Sequence, residues 1–175
     1  MDSTDAQGFY NDIETRSPTP SWNVTTLLLS EAAERGYHSK VMDVPAAFLW
    51  AANPYGHVVI LDEVTTMYAS ERRPEWQKYV RNGKLKVRLM RNQYGTKEAG
   101  KLWHELISNF LLDAGYAQNI IEPCLFTKQH SEDVDDKTAI LVYVDDLLVI
   151  SRCEAGVDTV QGLLIDVQVR CRFGG

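Results

Sequence analysis

The sequence predicts an α/β chain of the α+β kind, an antiparallel sheet with helices packed on one face. The central observation is a pair of apolar runs, 139–144 and 147–150, separated only by Asp145 and Asp146. That spacing is the length of a tight hairpin. Residues 84–90 add a half-buried strand: Lys84, Lys86 and Arg88 face one way, Leu85, Val87 and Leu89 the other. Segments of helical periodicity, bounded by capping residues, supply the third observation.

In chain order, Thr19, Pro20 and Ser21 provide an N-cap and a proline near the first helical turn. Val24, Leu27, Leu28 and Ala32 follow at helical spacing, and Gly36 is a natural C′ residue. Strands are expected over 37–44 and 58–61. Residues 70–82 are polar and basic, and read as irregular chain or a short helix. A helix over 97–114 buries Leu102, Leu106 and Phe110 and ends at Gly115. A short strand over 124–128 precedes an acidic, solvated loop at 131–137. The hairpin follows, and a last helix spans 156–169.

At 175 residues, with 45% apolar and 24% charged residues, the chain is one domain or a piece cut from a larger one. No apolar run approaches the ~18 residues of a membrane span, so no membrane partner is expected. The acidic, polar residues 1–5 are not a signal peptide. Cys124, Cys153 and Cys171 are odd in number and widely spaced. Free thiols in a reducing compartment fit them better than a disulfide scaffold or zinc ribbon. The net charge of −6 is unevenly spread: residues 68–105 hold ten of the 18 Lys and Arg against four acids, a local +6. A basic middle in an acidic chain suits a surface facing polyanions, or equally a solvated helix and strand face.

Hairpin turns of two residues favour Asn-Gly or Asp-Gly, because both positions need φ > 0. Adjacent aspartates are a costly choice there, since they repel each other. At the rim of a packed sheet such a pair is stabilised by a cation. Mg²⁺ takes carboxylate oxygens and keeps positions open for substrate phosphates. Asp43, at the end of the expected strand 37–44, would complete a two-metal site, in which one ion activates the attacking oxygen and the other stabilises the leaving pyrophosphate. An exposed acidic turn is the plain alternative for Asp145-Asp146 taken alone.

Tyr143-Val144-Asp145-Asp146-Leu147 in an apolar hairpin resembles the central motif of reverse transcriptases. Val41-Met42-Asp43-Val44-Pro45-Ala46-Ala47-Phe48-Leu49 resembles the D-V-K-T-A-F-L segment of Ty1/copia-type retrotransposon polymerases. Residues 88–103 resemble the K-L-N-K-A-L-Y-G-L-K-Q-A-P-R-A-W segment of the same class without a gap. Glu14-Thr15 and Ser17-Pro18 match its E-T-F-S-P, and Cys124-Leu125-Phe126 falls on its D-x-C-[LIV]-[FY] strand. The match runs in order from about Gly8 to Ser151.

The resemblance implies part of an RNA-directed DNA polymerase. Residues 1–20 would be the lead-in from the fingers, 21–151 the palm with partial fingers, and 152–175 the start of a connection or thumb. It implies two-metal nucleotidyl transfer onto a primer 3′-hydroxyl, with two Mg²⁺ ions and Mn²⁺ as a substitute. The implied partners are an RNA or DNA template with primer, deoxynucleoside triphosphates, and integrase and ribonuclease H as further polyprotein domains. The implied location is a cytoplasmic virus-like particle or the nucleus, without secretion.

Residue by residue, Asp43, Asp145 and Asp146 take the catalytic, metal-binding positions, with the Val44 carbonyl as an extra ligand. Ala46 and Ala47 match backbone amides that receive the nucleotide's phosphates. Phe48 falls on the aromatic steric gate that excludes a ribose 2′-hydroxyl, with a core aromatic as the alternative. Tyr143 supports the primer end or packs beneath the turn. Lys97, Lys101 and Trp103 lie in the segment that approaches template and nucleotide, or form a solvated face plus one buried Trp.

Several positions depart from the family pattern. Pro45 replaces Lys, Trp50-Ala51 replaces Asn-Gly, and Gln93, Thr96, Glu98 and Gly100 replace Leu, Leu, Gln and Pro. Glu98 adds a negative charge where phosphates should pass. The family's basic fingers strand is expected before residue 1, and a full thumb and ribonuclease H after residue 175. A catalytically inactive remnant, acting at most as a nucleic-acid-binding or interaction module, therefore stands beside the polymerase reading. A metal-dependent hydrolase has less support: His104-Glu105 begins an H-E-x-x pattern, but Ser108 occupies the second His position.

Overall fold

Ser21 opens the first helix, α1 (Trp22–Arg35), its hydroxyl accepting from the Val24 N–H, and Gly36 closes it with φ of 65°. That left-handed C′ position is free of side-chain strain only for glycine. In the computed structural model, which describes residues 17–173, the chain continues through β1 (His38–Asp43), a 3₁₀ turn (Ala47–Trp50), β2 (Val58–Ile60), α2 (Glu63–Arg72) and a second 3₁₀ segment (Pro74–Tyr79). Next come β3 (Lys86–Arg88), α3 (Ala99–Asp113), β4 (Ala117–Gln118), β5 (Leu125–Gln129), β6 (Lys137–Tyr143), β7 (Asp146–Ser151) and α4 (Glu154–Phe173).

Five strands form one sheet in the order β1-β7-β6-β5-β4, antiparallel throughout, and β2 and β3 form a separate two-stranded ribbon. This is the α+β architecture expected from the sequence. Met42, Phe126, Ile140, Val142, Leu147 and Val149 line one sheet face. They pack against Trp103, Ile107 and Leu111 of α3 and Val157, Val160, Leu164 and Val167 of α4. Gly156 lets the first turn of α4 approach the sheet, since a Cβ there would overlap the Ser151 hydroxyl. On the opposite face α1 covers the sheet only in part. It leaves an apolar groove of about 430 Å³ floored by Val41, Leu141 and Leu148 and ending at Tyr143 and Asp146.

Two expectations need correction, and one helix is unannounced. The buried stripe of α3 is Ala99, Trp103, Ile107 and Leu111; Leu106 and Phe110 lie at the margin of the core instead. Both stripes are apolar, and only the sheet decides between them. The stretch 70–82 holds the end of α2 and the short 3₁₀ helix, as expected, and the body of α2 before it, whose cap Asp62 accepts from the Thr65 N–H at 2.7 Å, carries no clear sequence signal. The hairpin is shifted by one residue. Tyr143 pairs with Asp146, so the turn is Val144-Asp145 rather than Asp145-Asp146. The reason lies outside the hairpin. The Val144 carbonyl accepts the Trp103 indole N–H at 2.6 Å, and the Asp145 carbonyl accepts the Val44 N–H at 2.9 Å. Val144 is thereby held at φ of 54°, a rare position for a β-branched residue.

All three cysteines are free, and burial, with Glu122 adding to it, pushes the Cys124 thiol up to about 12. The acidic loop is ion-paired as well as solvated, Asp133 with Arg152 at 2.6 Å and Asp135 with Arg35. Among the described residues, no helix is long and apolar enough to cross a membrane.

Candidate active site

Strand register brings the acidic residues together. Tyr143, Asp146 and Asp43 are register partners across β6, β7 and β1, and Asp43, at the end of the edge strand, also lines a cleft with Gln161, Leu164, Ile165 and Gln168 of α4. Asp145 occupies the adjoining turn, tied to β1 through the Val44 N–H. Its Oδ2 accepts from the Tyr94 hydroxyl at 3.4 Å, and the Tyr94 ring lies 4.6 Å from the Phe48 ring, tilted by 40°. Burial of the phenol, then the charges of Asp145 and Asp43, raise the Tyr94 hydroxyl above its ordinary range. It therefore stays a donor at neutral pH.

Among the described residues, Asp43, Asp145 and Asp146 have no Lys or Arg ion-pair partner. Nor are three His, Cys, Asp or Glu side chains gathered on one point closely enough to hold an ion. Asp43 and Asp146 nevertheless face each other directly across two strands. Like charges so placed repel, and a cation removes the repulsion. A donor set made only of carboxylate and carbonyl oxygen suits a hard divalent ion such as Mg²⁺. Any such ion would draw on the carboxylates of Asp43, Asp145 and Asp146.

The remaining expected residues divide. Ala46 sits in the left-handed region at φ of 58° and Ala47 is fully buried, so the backbone turns sharply between Pro45 and Phe48. Phe48 packs partly on the core, as its core-aromatic reading expects, and its ring meets Tyr94 beside Asp145. Tyr143 is 55% exposed and does not pack beneath the turn. Lys97 lines a cleft of about 460 Å³ with His57, Gln93, Tyr94, Gly95 and Thr96. Lys101 lies further along α3, paired with Glu105 at 3.8 Å. Trp103 is 1% exposed with its N–H bonded to the hairpin, so it is the buried Trp of its two readings and not a surface contact. Ser17 and Pro18 fall at the start of the described residues, and Glu14 and Thr15 lie outside them.

One site residue carries no sequence signal, and another lies elsewhere than its sequence reading puts it. Tyr94 carries no signal of its own beyond lying in the segment 88–103. Glu98, read as a charge in the phosphate path, is wholly buried, its Oε1 3.0 Å from His57 Nδ1. An imidazole nitrogen and a carboxylate oxygen attract at that distance only with a proton between them. Neither Glu98 oxygen receives a well-directed hydrogen bond, and the same His57 nitrogen also lies 3.0 Å from Asn53 Nδ2. Glu122 is also buried, but its carboxylate accepts from the Ser21 and Cys124 N–H groups. His57→Ala is expected to leave the buried Glu98 side chain without this contact, at about 1–3 kcal/mol. Adding Glu98→Gln should recover most of that loss, because a neutral amide tolerates burial better. Urea unfolding of the four chains of this cycle measures the coupling, and equal losses in both backgrounds would refute the pairing.

With Glu98 buried, the basic stretch is more cationic at its surface than the residue count suggests. Arg72, Arg73, Lys78, Arg81, Lys84, Lys86 and Arg88 are all exposed around the β2–β3 ribbon. The Arg73 guanidinium lies 5.7 Å over Trp76 and the Lys78 ammonium 4.9 Å over Tyr79.

Comparison with known proteins identifies the family. The sequence profile described as "Reverse transcriptase (RNA-dependent DNA polymerase)" matches residues 4–166. The retrovirus-related Pol polyprotein from transposon TNT 1-94 of Nicotiana tabacum is 26% identical over 136 residues, covering 78% of this chain and 9% of the relative. Those from transposons RE2 and RE1 of Arabidopsis thaliana are each 29% identical, over 140 and 136 residues, covering 78% of this chain and 8% of each relative. The chain thus spans less than a tenth of these relatives. No solved structure matches. With the profile running from before α1 into α4 and the three aspartates set at one sheet rim, the chain belongs to the reverse transcriptase family, as a domain of Ty1/copia-type Pol polyproteins.

Proposed function

We propose that this chain carries a nucleotidyl-transfer centre that extends a primer 3′-hydroxyl on an RNA or DNA template. The observation that carries the reading is the placement of Asp43 directly opposite Asp146, with Asp145 in the adjoining turn and no basic partner among the described residues. Two Mg²⁺ ions, when bound, supply activation of the attacking oxygen and stabilisation of the leaving pyrophosphate. The chain's own residues do the rest. The three aspartates and the Val44 carbonyl would hold the ions, and the Ala46 and Ala47 amides would receive the triphosphate of an incoming deoxynucleotide. The Phe48 ring, wedged between the core and Tyr94, fills the space of a 2′-hydroxyl. Tyr143 supports the primer end. Lys97 and the exposed cations of the β2–β3 ribbon attract template phosphates, so binding should weaken steeply with salt.

In this reading residues 21–151 are the palm with partial fingers, and integrase and ribonuclease H are its neighbours in a longer polyprotein. Residues 152–175 would start a connection, although Val157, Val160, Leu164 and Val167 of α4 share the palm core. The test is Mg²⁺- and template-dependent incorporation by the 175-residue chain. Asp145→Asn is expected to abolish it, and incorporation that survives this change sinks the proposal. A second reading, an inactive nucleic-acid-binding remnant, draws on the carboxylates' not being gathered on one point among the described residues. Salt-sensitive primer–template binding with no incorporation, even with Mn²⁺, selects it.

A further inference from the structure

Tyr94 touches the carboxylate rim and the gate ring at once. It stands in a tight turn: the Thr96 N–H donates to the Gln93 carbonyl at 3.1 Å, the Thr96 hydroxyl to the same carbonyl at 2.9 Å, and Gly95 has φ of 95°. With Tyr94 at the second position and a positive-φ glycine at the third, this is a type II signature, which sets the direction of the Tyr94 side chain. A Cβ added at Gly95 would meet nothing within 4 Å, so the glycine serves the backbone conformation and not packing. The turn leads directly into α3, whose first turn is fixed to the core by buried Glu98, Ala99 and Trp103. The platform under Tyr94 is therefore rigid, although the ring itself is half exposed.

Each end of the side chain has one task. The hydroxyl donates to Asp145 Oδ2, and no other side chain is recorded on that carboxylate among the described residues. One oxygen of Asp145 is thereby aimed, leaving the other open. The ring lies against Phe48, whose far side packs on the core, so Phe48 is confined between two surfaces.

We propose that Tyr94 is a positioning residue that couples sugar selection to the alignment of the acidic rim, holding the Asp145 carboxylate through its hydroxyl and the Phe48 ring through its own. The proposal rests on the function given above and adds a residue to it. It also separates into two halves. Tyr94→Phe keeps the ring and removes the hydroxyl, whereas Tyr94→Leu removes both.

The experiment uses the full chain and two readouts. The first, Mn²⁺ titration followed by electron paramagnetic resonance, needs no catalysis. Tyr94→Phe should bind Mn²⁺ about tenfold more weakly, the effect typical of losing a group that orients a ligand. Its melting temperature should match that of the native chain. The second is the ratio of dTTP to UTP incorporation. Tyr94→Phe should lower kcat with the ratio unchanged, while Tyr94→Leu should also lower the ratio about tenfold as Phe48 loosens. Native Mn²⁺ affinity in Tyr94→Phe overturns the hydroxyl's role, and an unchanged ratio in Tyr94→Leu overturns the ring's. Should the native chain incorporate nothing, the polymerase reading fails and the Mn²⁺ arm alone decides the role of Tyr94. Absence of Mn²⁺ binding by the native chain overturns both.

Discussion

Asp146→Asn is expected to make the metal-free chain more stable and to remove its activity. Asp146 opens β7 and faces Asp43 across one ladder and Tyr143 across the other, so it has a like charge on one side and no positive charge on the other. Directly opposed like charges in an antiparallel pair cost a few tenths of a kcal/mol up to about 1 kcal/mol. Neutralising one should therefore raise the melting temperature in EDTA by about 1–3 °C in a chain of this size. The same change removes a ligand for the divalent ions. Loss of several kcal/mol of charge stabilisation corresponds to about a thousandfold or more in rate. Mg²⁺ should raise the melting temperature of the native chain by mass action, and that of the variant much less. The two arms test different claims. A variant that melts below the native chain in EDTA contradicts the Asp43–Asp146 register. A variant that melts higher yet incorporates normally leaves the register standing and removes the metal-site reading.

Local signals fixed the parts of this fold that depend on near neighbours. Ser21 and Gly36 bound α1 as capping chemistry requires, and the two apolar runs around Asp145 and Asp146 form the central hairpin. What escaped the sequence depends on residues far apart in the chain. The one-residue shift of the turn is set by Trp103 and Val44, 41 and 101 positions away from their partners. Those figures are separations along the chain, and no local pattern reports them. In α3 two adjacent stripes are both apolar, and the one carrying Trp103 turns inward because the sheet meets it there. In α2 the buried positions are Thr66 and Ser70, polar residues that blur the helical periodicity. Glu98 was misplaced for the same reason: a glutamate is solvated unless something covers it, and the cover, His57, belongs to a loop some forty residues earlier. The acidic rim was legible because its chemistry is unusual. Tyr94 was not, since a tyrosine beside a glycine is unremarkable until the fold brings Asp145 and Phe48 to it.

Trp103 is where the core and the candidate site depend on the same atoms, and its replacement should have the largest effect on folding. The side chain is 1% exposed between α3 and the sheet, and its N–H meets the Val144 carbonyl at 2.6 Å. Trp103→Ala opens a large cavity, at about 3–5 kcal/mol, and strands a carbonyl at about 1–3 kcal/mol more. Domains of ordinary stability have about 5–15 kcal/mol in all, so this chain is expected to be largely unfolded or close to it. Trp103→Phe is the sharper probe, because it keeps most of the packing and loses the N–H. It should cost about 1–3 kcal/mol and lower the melting temperature by several degrees. The loss should also fall on the hairpin: Val144, held at φ of 54° against its own preference, has less to keep it there. Amide exchange at the Val144-Asp145 turn should then accelerate more than in Leu111→Val, a packing change in the same helix that does not touch the turn. A Trp that contacts nucleic acid would behave otherwise. Trp103→Phe would weaken primer–template binding while melting and turn exchange stayed native, and that result would displace Trp103 from the core.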